Sequence, residues 1–175
     1  MVIYNCSSHR NNLKLTIWGI FAIFFLAAMI HSAYEITELD FLKPFAPVNE
    51  SVWEHMKMML TSGLIWMFYE IYLGLYRYKN YYFARTIGIL LLVFLIPVLY
   101  YGYTAFTGES ILVIDILITL IAAAISQWIF YSILNSKNNY SGYNRLSILI
   151  LIILFILFVW FTYNPPNLKI FIPSE

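Results

Sequence analysis

The sequence predicts an all-α integral membrane bundle of five transmembrane helices, with the N-terminus cytoplasmic and the C-terminus extracytoplasmic. Three observations carry that expectation. Of the 175 residues, 62% are hydrophobic and 11% charged, whereas a soluble domain carries about 25% charged residues. Five apolar runs follow one another with short connections, and a crossing needs about 20 such residues. Basic residues beside those runs fall on alternate sides, which sets orientation in a cell membrane. That layout leaves no room for a soluble domain, so residues 1–175 are read as one transmembrane unit.

The first span covers about 15–34, after a polar stretch with Arg10 and Lys14. A basic start and an apolar run also describe a secretory signal. Here the run is long for an h-region, and IHSAYE has no small residue three before Ala33, so the segment is expected to stay as a span. Pro44 and Pro47 break the following loop, and Asn49 is placed to cap a helix running from Glu50 to about Tyr76. At 1.5 Å per residue that helix is about 40 Å long, longer than a hydrocarbon core of roughly 30 Å. Its crossing is about 57–76, so the end bearing PVNESVWEHMK protrudes.

RYKNYYFAR is a basic turn, and the third span covers about 86–103, with Pro97 expected to kink it. TAFTGES is a tight connection. The fourth span, about 111–131, carries Asp115 and an Ala122/Ser126 pair of small residues suited to close helix approach. The fifth, about 146–161, is an Ile/Leu/Phe run ended by Pro165 and Pro166. Arg10 and Lys14, then Arg77, Lys79 and Arg85, then Lys137 and Arg145 mark the cytoplasmic side; only Lys169 runs against the pattern.

A net charge of +1 with scattered Lys and Arg excludes a nucleic-acid surface. The implied partners are the lipid bilayer and a lipid or small-molecule ligand. Cys6 is the single cysteine, so neither an internal disulfide nor a cysteine-based zinc site can form. A metal site would have to use His and carboxylate.

Such residues converge in depth. His31 and Glu35 end the first span, Glu50 to His55 begin the second, Asp115 lies a turn inside the fourth, and Tyr163 and Asn164 end the fifth. Residues four apart lie about 40° from one another on a helix, which pairs His31 with Glu35, Glu50 with Glu54 and Ser51 with His55. Two imidazoles facing carboxylates are a ligand set for a divalent ion, zinc first, with Fe(II) or Mn as alternatives. The expected ligands are His31, Glu35, Glu54 and His55. Glu50, Ser51 and Asp115 are the catalytic candidates: Glu50 or Asp115 as general base, Ser51 or Tyr163 as donor to a developing oxyanion. The motif lacks H-E-x-x-H, and Glu54 and His55 are adjacent, so it is not the Glu-x-x-His of di-iron bundles either.

A structural reading stands beside this one. Glu50 suits a helix N-terminus, Glu54 and Lys57 make an ordinary surface ion pair, and Trp53 is an interface anchor. His31 and Asp115 fit it less well, because an ionisable group inside hydrocarbon costs about 2.5 to 3.5 kcal/mol unless paired or hydrated. Glu70, with Arg77 on its helix and Arg85 nearby, reads as an internal ion pair, with a proton or ion path as the alternative.

H-x-x-Y-E at His31 to Glu35, P-x-N-E-S-x-W-E-H-x-K at Pro47 to Lys57 and the T-Y-N-P-P tail resemble a family of small bacterial polytopic membrane proteins catalogued as a domain of unknown function. The resemblance implies membrane location and a shared signature, and brings no activity. In chemistry alone the chain is similar to the intramembrane hydrolases that include alkaline ceramidases and adiponectin receptors. Those proteins hold zinc with histidines and an aspartate beside a serine, on seven spans. Three functions stay open: a metal-dependent hydrolase of a lipid or amide, a small transporter or ion-binding protein using Glu70 and the outer carboxylates, and a non-catalytic partner or immunity subunit in which the motif is a structural clasp.

Overall fold

The computed structural model describes residues 6–173, with side chains from Asn11 onward. Ser174, Glu175 and the side chains of Cys6 and Arg10 lie outside the described residues. The chain forms α1 (Cys6–His31), a short α2 (Ala33–Thr37), α3 (Val52–Tyr72), α4 (Tyr81–Thr107), α5 (Leu112–Leu134) and α6 (Asn144–Tyr163). Among the described residues there is no strand, only an isolated antiparallel bridge between Ser51 and Pro173.

Helices α1, α3, α4 and α5 close a ring in which each touches two neighbours, while α6 lies outside it against α4 and the start of α3. Four segments are long and apolar enough to cross a membrane: Asn11–Thr37, Tyr81–Thr107, Leu112–Leu134 and Ser141–Tyr163. Exposed Trp18, Phe25, Met29, Trp128, Ile156 and Trp160 give them outer faces of a kind that water does not tolerate in quantity. The fifth expected span is α3, which is not among those four: Glu54, Lys57 and Glu70 lower its hydropathy. Its charged side chains Glu54, Lys57 and Glu70 are buried in pairs, while Ile65, Phe68, Tyr69 and Tyr72 give it an exposed apolar face.

The connection after α4 is as tight as expected. Gly108 adopts φ 80°, a left-handed conformation that glycine takes without a Cβ penalty, and its N–H caps the helix on the Thr104 carbonyl. Pro97 sits inside α4, which continues through it. Close approach of α4 and α5 also holds: Ser126 Oγ donates to the Gly88 carbonyl at 2.7 Å, and a Cβ on Gly88 would come within 3.3 Å of the Ser126 carbonyl oxygen.

Toward the end of the ring where α4 begins, Glu70 and Arg85 form an ion pair with both side chains fully buried. Tyr81 donates to Glu70 at 3.1 Å, and Arg85 donates to Gln127 Oε1 at 3.2 and 3.3 Å with its guanidinium 3.5 Å from the centre of the Phe130 ring. Of the two arginines considered for Glu70, Arg85 is the partner; Arg77 lies over Tyr76 instead.

The Gln127 amide fits because residue 19 has no side chain: a Cβ there would fall 1.9 Å from Gln127 Nε2 and 2.8 Å from Trp66 Nε1. Gly19→Val is therefore expected to lower stability by about 1 to 3 kcal/mol through overpacking. Gly102, helical and with open space around its Cβ position, should become slightly more stable as alanine, by about 0.5 to 1 kcal/mol. Thermal unfolding in detergent separates the two. Equal shifts would mean that α1 does not close on Gln127.

Candidate metal centre

At the opposite end of the ring, the chain enters α3 through a local device. Asn49 Oδ1 accepts from the Ser51 N–H at 2.9 Å, and Ser51 Oγ then caps the helix by accepting from Glu54 N at 3.4 Å. The expected N-cap was Asn49 and the expected start Glu50; the structure places both one or two residues before the cap. Ser51 with Glu54 has the S-x-x-E spacing of a capping box, but the Glu54 carboxylate reaches Val48 N at 3.0 Å rather than the cap itself. Glu50 is thereby left in the entry turn, outside the helix.

That turn carries Glu50 to two histidines. His31 is the last residue of α1, and His55 lies in the first turn of α3. Their Nε2 atoms are 3.3 Å apart, and each is 3.5 Å from Glu50 Oε2. Among the described residues these three form the group whose ligand atoms could share a metal ion. Tetrahedral zinc with ligands at about 2.0 to 2.1 Å holds them about 3.3 to 3.4 Å apart, so the triangle matches one face of such a site and leaves the fourth corner open.

The tautomer agrees with ligation. His55 Nδ1 lies 2.9 Å from the Ser51 carbonyl, which can only accept, so Nδ1 carries a proton, and in that tautomer Nε2 is the nitrogen that offers a lone pair to the triangle. Metal-bound imidazoles are commonly oriented by a backbone carbonyl in this way. The side chains of His31, His55 and Glu50 are 34%, 30% and 56% exposed, open enough for an ion to enter.

A cavity of about 380 Å³ lies against the triangle. Asp115, Ser110, Thr119 and Tyr100 add polar groups to its wall, and Val52, Met58, Ile96, Leu112 and Ile118 form an apolar side. Asp115 accepts a 2.6 Å hydrogen bond from Tyr103, whose hydroxyl in turn accepts from Ile111 N at 3.0 Å. The aspartate is thus held at the start of α5.

The other expected residues lie elsewhere. Glu35 is on α2 and exposed, beyond the break at Ser32. Tyr163 is also exposed, in a shallow groove on α6 with Trp160 and Asn164. Ser51 is buried, its oxygens used in the cap and in orienting His55. Glu54 turns the other way, to Lys57 at 2.5 Å, with the two side chains only 3% and 1% exposed. The pair is therefore buried, not the ordinary surface ion pair expected, because loop 43–48 and α6 cover it. Lys57 Nζ donates to the Lys43 carbonyl at 2.7 Å and to Thr162 at 2.9 Å. Both ends of the loop leading to Glu50 are fastened to this pair.

Residues 4–174 match the family described as a family of unknown function (DUF6512). The chain belongs to DUF6512. No curated protein and no solved structure matches this DUF6512 chain.

Tyr100, Tyr103 and Ser110 have no sequence signal that marks them; the antiparallel return of α4 into α5 brings Tyr100 and Ser110 to the cavity and Tyr103 to Asp115 on its wall. Glu50 was expected as a general base and not among the ligands; the signals that could have placed it ahead of the helix are the Asx-type turn of N-E-S and the capping spacing of S-V-W-E.

Proposed function

We propose that the His31, Glu50 and His55 triangle binds a divalent metal, zinc first, on the outer side of the membrane, and that the protein hydrolyses an ester or amide of a lipid there. The observation that carries this is the 3.3 to 3.5 Å spacing of three ligand atoms with His55 held in the ligating tautomer.

In this reading all five long helices cross the bilayer. Near its start α3 meets the C-terminal end of α1 through His55 and His31; near its end it meets the first turns of α4 through Glu70, Tyr81 and Arg85. It thus runs the height of the ring between two apolar helices, and its 21 residues reach about 30 Å. Lys79, Lys137 and Asn144 gather at the end away from the triangle, and with Arg77 and Arg145 nearby the positive-inside tendency puts that end in the cytoplasm.

A bound zinc supplies Lewis acidity and a nucleophile at neutral pH. The protein's own part is to place an amphiphile and move a proton. The apolar side of the cavity seats a chain, Asp115 accepts the proton, and Tyr103 fixes its orientation. Transport draws less support, because fully buried Ile23, Ala27, Met59, Leu92 and Ala122 fill the ring between the triangle and Glu70. The clasp reading has its own residues in Glu54 and Lys57, which hold the loop rather than face the cavity.

The test is Asp115→Asn, whose amide oxygen can still accept from Tyr103. Against a fluorogenic short-chain ester and amide, the wild type is expected to show metal-dependent hydrolysis and the variant to lose about 100-fold or more, with its metal content unchanged. Hydrolysis unaffected by the substitution would remove Asp115 from the mechanism, and none in a metal-loaded wild type would overturn the hydrolase reading.

A further inference from the structure

A second cavity, about 400 Å³, adjoins the first and shares Tyr100 and Ser110 with it. Tyr101, Thr104, Glu109 and Lys169 complete its polar lining. Lys169 comes from the C-terminal tail, and the fold fixes its position. Two residues later Phe171 packs on Trp53, ring centres 4.7 Å apart, and Pro173 bridges to Ser51. Lys169 Nζ consequently stands 5.9 Å from the centre of the Tyr101 ring.

At this end of the ring the other two lysines are taken: Lys43 by Asp40 at 2.8 Å and Lys57 by Glu54 at 2.5 Å. Lys169 and Glu109 line the same cavity, yet among the described residues neither has an opposite charge within 4 Å. One cavity therefore presents a cation and an anion that do not neutralise each other, beside two tyrosine rings. A phosphate diester suits the lysine and the tyrosine hydroxyls. An ammonium suits Glu109 and a ring face, since cations are attracted to aromatic faces within about 6 Å.

We propose that this cavity is a subsite for a zwitterionic phosphodiester headgroup of the phosphoethanolamine type, and that the ligand is the corresponding phospholipid. The link to turnover rests on the hydrolase reading above; the headgroup site itself does not. With the headgroup there, the glycerol ester region reaches past Tyr100 and Ser110 toward the triangle.

The experiment is lipid retention by native mass spectrometry, on full-length protein stripped of metal and exchanged into micelles holding equal phosphatidylethanolamine and phosphatidylglycerol. The wild type should retain phosphatidylethanolamine over phosphatidylglycerol by about fivefold or more, the scale of one well-placed charge contact. Glu109→Gln should erase that preference, and Lys169→Gln should weaken both lipids while Lys169→Arg restores them. Lys137→Gln, at the other end, should change nothing. An absence of preference in the wild type, or variants that retain lipid as it does, would overturn the proposal. Displacement by soluble glycerophosphoethanolamine at equimolar concentration would overturn the lipid as ligand and leave a free headgroup in its place. Because the metal is absent throughout, failure of the metal site cannot mimic any of these results.

Discussion

Arg85→Met is expected to cost about 3 to 5 kcal/mol, the usual penalty for leaving one member of a buried ion pair without its partner. Glu70 is fully buried, and Arg85 supplies its only opposite charge among the described residues. The same guanidinium also holds Gln127 Oε1 and covers the Phe130 ring, so α3, α4 and α5 all loosen together. Removing both charges is a different experiment. Glu70→Gln with Arg85→Met deletes the pair without leaving a bare carboxylate, and buried pairs replaced by uncharged groups are often near neutral in stability. The double variant should therefore unfold at a higher temperature than Arg85→Met alone. If the two single effects simply add, the pair is not coupled in the folded protein.

This pair shows how much the sequence can and cannot say. A glutamate inside an apolar run was legible as an internal ion pair, because hydrocarbon leaves a charge few other options. Which arginine answers it was not, since Arg77 and Arg85 lie on either side of a turn whose fold decides. Helix number, the short connections and the small-residue contact at Ser126 were likewise readable from periodicity and composition. The burial of the start of α3 was not. Its polarity was read as a protruding, wet helix start, whereas the structure buries Glu54 and Lys57 under α6 and loop 43–48.

The candidate site follows the same division. His31, His55 and Asp115 could be placed at one depth from helix ends alone, because depth depends only on chain direction and rise per residue. Sorting the carboxylates needed the backbone. A helix start at Val52 instead of Glu50 frees Glu50 to swing toward the imidazoles, while Glu54, about 100° round the helix from His55, faces Lys57 and Val48 N. The break at Ser32 does the same to Glu35, so a four-residue spacing that is a neighbour relation on a continuous helix no longer applies.

The second large effect expected concerns His55. It is one corner of the triangle, and the corner whose orientation is fixed by the Ser51 carbonyl. His55→Ala leaves one imidazole and one carboxylate, too few to hold zinc in a closed or catalytic site, where three protein ligands are the minimum seen. Affinity should fall by about 100-fold or more, while folding should persist, because the His55 side chain is 30% exposed and lies outside the buried apolar core.

The measurement that bears most directly on this account is elemental analysis of protein purified without chelators and supplemented with zinc, wild type beside His55→Ala and His31→Ala, each checked as a single folded species by gel filtration. The account predicts about one metal ion per chain in the wild type and a loss of most of it in both variants. Folded wild-type protein carrying no stoichiometric metal, or variants that keep it, would contradict the account.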